Sequence, residues 1–191
     1  MDSGSSAKKR LFTGIPIPGS LIETFRLFRH ENSGIDGLRW IPDNNLHITL
    51  VFIGDTPQKK LPELITKLAD EICQIPAFHI RFEKFHLVKH GREPVMFWAQ
   101  FEKNVAFDML VKKTASVFPG SEKKIHRDNI PHATLARIKS HFQDNAVKYP
   151  DVIPDIRVNM NRCILWESRL SSEGSNYFPL MEFHLADSKK V

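Results

Sequence analysis

The sequence predicts an α+β fold built from a duplicated unit with mainly antiparallel sheet. Three observations predict it. The run Leu46-His47-Ile48-Thr49-Leu50 returns 85 residues later as Pro131-His132-Ala133-Thr134-Leu135. Strand-like alternation is interleaved with helical apolar stripes along the chain. Neighbouring strands are joined by short turns, around Gly91-Arg92-Glu93 and from Ser171 to Asn176, and such hairpins favour antiparallel pairing.

Residues 10–18 read as a first strand closed by Pro16 and Pro18. Ser20 is placed to cap a helix, with Glu23 at capping-box spacing and Leu21, Ile22, Phe25 and Phe28 as its stripe. Residues 38–41 form a short strand, and Pro42-Asp43-Asn44-Asn45 a turn. The first His-x-Thr strand follows and is expected to stop at Gly54-Asp55. Thr56 and Pro57 suit the cap and first position of a second helix, with Leu61, Leu64, Ile65, Leu68 and Ile72 on its apolar side and Pro76 beyond its end. Strands are expected over 78–85 and 94–101. Asn104 can cap a third helix carrying Phe107, Leu110, Val111, Thr114 and Val117, closed by Pro119-Gly120. After the second His-x-Thr strand, residues 140–150 read equally as helix or loop. A strand with a bulge or break near Arg162-Cys163 is expected within 154–166, and a last strand over 177–185.

In a strand, residues two apart share a face, roughly 6.6 Å apart along it. His47 and Thr49 therefore point one way, and so do His132 and Thr134, while Ile48 and Ala133 point into a core. One such motif is an ordinary polar strand face. Two in similar apolar frames suggest related lobes, each contributing an imidazole and a hydroxyl to a shared cleft. Two histidines can serve as acid and base near neutral pH, and two hydroxyls can hold an anion. That set suits displacement at phosphorus without a metal.

At 191 residues and 41% hydrophobic, the chain is one domain or two intimate lobes. No apolar run approaches the roughly 20 residues of a membrane span, and the polar start lacks a signal-peptide core. Residues 1–9 read as a disordered lead-in, 10–187 as one bilobal domain and 188–191 as a tail. A formal charge of +5 mildly favours a phosphate-bearing partner. Cys73 and Cys163, without metal-ligand spacing, suit a reducing cytoplasm. Phosphate-binding glycine loops and nucleophile elbows are absent.

Other polar residues carry weaker signals. His86 and His90 are four apart, but on a strand that separates them by roughly 13 Å, so no metal is expected there. His30, His79, His126, His141 and His184 have no evident partners. Arg137 suits a phosphate, yet simple alternation turns it away from His132 unless the strand bulges first. Phe12 could stack on a base from a cleft wall, although a core role is the commoner one. Trp40 reads as packing. Lys123, Lys124 and Arg127 form a basic cluster before the second motif, most simply a solvated turn.

Taken in order, these residues resemble the two-histidine (2H) phosphoesterase superfamily and, within it, the RNA 2′,3′-cyclic phosphodiesterases once called 2′-5′ RNA ligases, the LigT-like family. The resemblance runs through Arg10-Leu11-Phe12 with Ile15-Pro16, Arg39-Trp40-Ile41-Pro42 and the first motif. It continues with Phe52-Ile53-Gly54-Asp55, the second motif with Arg137, and Glu167-Ser168-Arg169-Leu170 with Gly174, Tyr177 and Leu180. Thr13-Gly14 departs from the family's small apolar stretch. The resemblance implies two antiparallel sheets facing a central cleft with helices outside. It implies hydrolysis of RNA 2′,3′-cyclic phosphate to a 2′-phosphate, without metal or cofactor, and reversible ATP-independent 2′-5′ joining, with tRNA halves among the conceivable substrates. By carry-over His47 is the proton donor and His132 the acceptor, while Thr49, Thr134 and Arg137 bind phosphate. A cytoplasmic monomer is expected. The alternatives are a non-catalytic RNA- or nucleotide-binding module, or a related phosphodiesterase for ADP-ribose 1″,2″-cyclic phosphate or a 2′-5′ oligoadenylate.

Overall fold

A computed structural model describes residues 7–118, 129–139, 142–172 and 174–187. Its strands are β1 (Lys8–Pro16), β2 (Leu38–Trp40), β3 (His47–Pro57), β4 (Phe78–His90), β5 (Glu93–Phe101), β6 (His132–Ile138), β7 (Arg157–Met160), β8 (Arg162–Ser171) and β9 (Gly174–His184). Its α-helices are α1 (Gly19–Glu31), α2 (Leu61–Ile72) and α3 (Val105–Ser116). The α+β class and the mainly antiparallel pairing are as the sequence predicts.

The strands run in the order β7-β4-β5-β6-β3-β1-β8-β9, with β2 also on β6. Every named pairing is antiparallel. The order divides at its middle. β3, β1, β8 and β9 make one four-stranded half, and β6, β5, β4 and β7 the other. Among the described residues β3 and β6 share one residue pairing, Ile48 opposite Ala133, and the Pro76–Ala186 bridge and the shared main core join the halves as well. The Ile48 and Ala133 side chains point into the main core, each 0% exposed. The helices pack on that side, with Leu21, Phe25, Phe28, Leu68, Ile72, Phe107 and Leu110 buried against the sheet. Full burial of each such side chain contributes about 1.5–3 kcal/mol.

The helix ends differ from expectation in instructive ways. α1 begins at Gly19 with Pro18 as its cap, so Ser20 lies inside the first turn and caps nothing. β3 runs on through Pro57, and Thr56 is buried in it with its hydroxyl donating to the Gly54 carbonyl. The chain then makes a 3-10 turn over Gln58–Lys60, and α2 carries Pro62 in its first turn. Asn104 caps α3 as predicted, its Oδ1 accepting from the Ala106 and Phe107 N–H groups.

Two further expectations need correcting. β1 starts at Lys8, and Lys9 is ion-paired with Glu167, so Lys8 and Lys9 belong to the fold and not to a lead-in. The single strand expected within 154–166 is two strands in different halves. β7 pairs with β4, β8 pairs with β1, and the chain crosses between halves at Asn161. Residues 144–146 form a 3-10 turn within the undecided stretch. Pro119-Gly120, Lys123, Lys124, Arg127, His126 and His141 lie outside the described residues.

Candidate active site

The two His-x-Thr motifs meet at the seam between the halves. With Ile48 opposite Ala133, the antiparallel register sets His47 across from Thr134 and Thr49 across from His132. All four point to the face opposite the main core, and all four are half-buried.

Each imidazole is held in the same way. His47 Nδ1 donates to the Asn45 carbonyl at 2.7 Å, and His132 Nδ1 donates to the Ile130 carbonyl at 2.8 Å. A carbonyl only accepts, so the proton sits on Nδ1 and each Nε2 is left for the cleft. Neutral, that Nε2 is a base; charged, it is an acid. Asn45 does a second job, because its side chain donates to the Ser175 carbonyl at 3.0 Å and ties the β8–β9 hairpin to the turn before β3. That turn is held by Asp43, which accepts from Arg26 and Arg29 of α1.

The rings are packed differently. His132 lies flat on Trp98 of β5, centroids 3.6 Å apart and planes 17° apart. His47 sits among Phe12 at 4.8 Å, Trp166 at 5.5 Å and Tyr177 at 5.2 Å, the last edge-on. Gly14 makes room for this arrangement. A Cβ there would stand 2.7 Å from the Ile48 carbonyl oxygen, 3.2 Å from the Trp166 ring and 3.3 Å from the His47 ring. The Thr13-Gly14 departure therefore has a local cause.

Phe12 does not present a face to a base. It is 2% exposed and forms a small second core with Ile164, Trp166 and Tyr177. One face stacks on Trp166, centroids 5.2 Å apart, and His47 covers another part of the ring. It walls the cleft from beneath. Trp40 packs against Phe28, as expected. His30, His79, His86, His90 and His184 are exposed, and of these His86 on β4 lies opposite Trp98, ring centroids 6.3 Å apart. Among the described residues no group of three His, Cys, Asp or Glu side chains is arranged to hold a metal.

Arg137 reaches the cleft face because β6 bulges. Trp98 is opposite Thr134, but Phe97 is opposite Ala136, so Leu135 is an extra residue. Leu135 and Ala136 are consequently both buried, and Arg137 emerges on the side of His132 and Thr134. β3 bulges at the same place. Gly14 is opposite Thr49 and Thr13 opposite Val51, which leaves Leu50 extra and turns Phe52 to the cleft.

Burial holds the His47 imidazole well below its ordinary value, down to about 4, with proximity to His132 adding and the Asn45 carbonyl opposing. Burial lowers His132 as well, opposed by the Ile130 carbonyl. The sign for stability follows. A histidine whose folded value lies below its unfolded 6.5 is favoured neutral by the fold. Its contribution is complete above about 6.5 and is lost as pH falls toward about 4, by at most about 3 kcal/mol. The melting temperature of the native chain is expected to fall across that window, and that of His47→Gln to fall distinctly less. Matching slopes would show that the His47 ring is not desolvated.

Trp98, Tyr177, Asn45 and Gly14 are residues to which the sequence reading gave no role in the site. Trp98 had a usable signal. In β5 the buried Phe97, Ala99 and Phe101 alternate with Met96, Trp98 and Gln100, so a large aromatic stands on the polar side. Tyr177, Asn45 and Gly14 depend on the curl of the β8–β9 hairpin over β3, which no local pattern encodes.

A family model described as LigT-like phosphoesterase matches residues 15–98. An RNA 2′,3′-cyclic phosphodiesterase of Bacillus subtilis is 27% identical over 180 residues, 94% of this chain and 90% of that one. The Thermotoga maritima protein of the same name is 26% identical over 148 residues, 76% of this chain and 79% of that one. Among solved structures, a Thermus thermophilus protein has a TM-score of 0.80 at 22% identity, covering 93% of this chain and 98% of its own. Apo LigT of E. coli has a TM-score of 0.70 at 21% identity, covering 95% and 99%. These structures share the fold.

Proposed function

We propose that the chain, similar to LigT-like phosphoesterases over residues 15–98 and to RNA 2′,3′-cyclic phosphodiesterases over most of its length, hydrolyses RNA terminal 2′,3′-cyclic phosphate to a 2′-phosphate. The observation that carries the reading is the pair of His-x-Thr motifs, meeting across one strand pairing with both Nδ1 protons tied to backbone carbonyls. Two titratable groups turned to one space suit proton transfer in both directions, whereas binding alone has little use for them.

The phosphorus lies between the two Nε2 atoms. His132 takes a proton from the attacking water, and His47 gives one to the departing 3′ oxygen. One P–O bond forms and one breaks. The Thr49 and Thr134 hydroxyls donate to the non-bridging oxygens, and Arg137 adds its charge. With the anion between them, both imidazoles gain a partner that favours their charged forms, which offsets the burial that lowers them in the free protein. Run forward with the 5′-hydroxyl of a second RNA in place of water, the same steps form a P–O5′ bond as the P–O3′ bond breaks and join RNA ends in a 2′-5′ linkage without ATP, and run backward they cleave that linkage; tRNA halves are candidate substrates. The chain works as a monomer in a reducing, cytoplasmic setting, where Cys73 and Cys163 stay free.

The charge is managed by hydroxyls and a guanidinium, so the reaction is metal-independent. An oligoribonucleotide with a 2′,3′-cyclic end, incubated in excess EDTA, is expected to give the 2′-phosphate at the full rate. A 3′-phosphate product, or activity lost to EDTA and restored by a divalent ion, would overturn the mechanism. ADP-ribose 1″,2″-cyclic phosphate and a 2′-5′ oligoadenylate, run alongside, rank the rival substrates.

A further inference from the structure

Each motif strand is flanked by an outer strand, β1 beside β3 and β5 beside β6. The residues these outer strands set against the two histidines differ. Pro16 is opposite His47, and Gln100 is opposite His132. Proline brings no polar side chain. Glutamine brings an amide, placed on the cleft side because its neighbours Ala99 and Phe101 belong to the main core.

Gln100 stands close to His132. The Phe101 N–H donates to the Pro131 carbonyl, so the next pair along, Gln100 with His132, has no backbone bonds between its members. In such a pair the Cα atoms are about 4.5 Å apart and the side chains lie close together.

The amide is also oriented. Its Nε2 donates to Glu83 Oε2 at 2.9 Å. That bond holds the Glu83 carboxyl below its ordinary value, with burial opposing and Lys84 and His86 assisting. An ionised carboxylate only accepts, so the amide nitrogen faces it and the carbonyl oxygen Oε1 is turned elsewhere. Lys84, opposite Gln100 on β4, is paired with Glu83 too, at 3.1 Å. Gln100 Oε1 accepts no hydrogen bond among the described residues. Gln100 is only 9% exposed, and an acceptor in such a place is ordinarily filled.

We propose that Gln100 Oε1 holds the attacking water beside His132 and so selects water over an alcohol as the nucleophile. This rests on the cyclic-phosphodiesterase reading, which supplies the reaction. The water oxygen bonds to phosphorus, and one of its hydrogens passes to His132 Nε2 as a proton. The other hydrogen points at Gln100 Oε1 and stays behind as the hydroxyl of the new phosphate. The P–O3′ bond breaks, and His47 protonates the departing oxygen. That side of the cleft needs a donor only, which is consistent with a proline there. The 5′-hydroxyl of a second RNA has one hydrogen, which His132 takes, and nothing remains for Gln100 to hold. Gln100 therefore biases the cleft toward hydrolysis and away from joining.

Methanol, also with a single hydroxyl hydrogen, makes the choice measurable. An oligoribonucleotide with a 2′,3′-cyclic end is turned over in aqueous methanol, and the 2′-phosphate and its methyl ester are quantified together. Their ratio comes from one reaction, so it does not depend on how much enzyme is folded. Gln100→Met keeps the length and removes the amide. It is expected to raise the ester-to-phosphate ratio about 3- to 10-fold, the worth of one neutral hydrogen bond. Glu83→Gln frees the amide to turn over and should shift the ratio the same way by less. An unchanged ratio in Gln100→Met, including an equal fall of both products, overturns the proposal. If Gln100→Met does not fold, Glu83→Gln decides, and a native ratio there overturns it. A native chain that makes neither product sinks the cyclic-phosphate reading itself, whereas native hydrolysis with an unmoved ratio sinks only the role of Gln100.

Discussion

Replacing His47 or His132 with alanine is expected to lower cyclic-phosphate hydrolysis by roughly 10²–10⁴-fold, the usual worth of a positioned acid or base. The two variants should then part company on a second substrate. A nucleoside 3′ oxygen is a poor leaving group and needs its proton, whereas a nitrophenolate departs without one. On a nitrophenyl phosphodiester, His47→Ala should recover most of its activity and His132→Ala should not. The reverse pattern would exchange donor and acceptor. Equal recovery would mean that the rings serve as cations for the phosphate. A pH profile alone cannot assign the roles, because both rings donate Nδ1–H to a carbonyl and both are lowered by burial. Gln is the better control for packing at position 47, where an empty site beside Phe12, Trp166 and Tyr177 invites collapse.

Removing one hydroxyl has the second-largest effect. Thr49→Val and Thr134→Val keep the branched shape that suits a strand and delete only the donor. Both threonines are half-buried, face the seam, and stand one residue from the Ile48–Ala133 pairing. A lost hydrogen bond to a charged oxygen costs roughly 1.5–3 kcal/mol, or about 10–150-fold in kcat/KM. The loss should appear mostly in kcat if the bond tightens as charge builds on the phosphorus oxygens, and mostly in KM if the ground state is held equally well. Native rates in both variants would place the phosphate elsewhere.

The duplicated motif was legible because strand alternation is strict: one residue in two must face the core, and Ile48 and Ala133 do. The bulges were harder. Alternation alone turns Arg137 away, yet the adjacent apolar pairs Leu50-Val51 and Leu135-Ala136 stand at the same offset in both repeats. Two buried neighbours in a strand mean an inserted residue, so the pattern was present in outline. Phe12 shows the opposite case. Its strand position was right and its exposure was not, because Trp166 and Tyr177 come from β8 and β9, more than 150 residues away in sequence. The crossing from β7 to β8 at Asn161 was hidden for a similar reason. Two strands in opposite halves of a curled sheet leave the same local trace as one strand with a kink.

Joining β3 to β6 through a single pairing at Ile48–Ala133 also has a mechanical side. Were the halves to flex about that pairing, residues beside it would travel little, while residues far along the strands would swing on a long lever. For a rotation of about 10°, a group roughly 13 Å out sweeps about 2 Å, whereas one a single residue from the bridge shifts about half an ångström. His47, Thr49, His132 and Thr134 all occupy the inner position, and Phe52 and Arg137 the outer one. Any such flexing would therefore displace the two histidines and two threonines least, and Phe52 and Arg137 most.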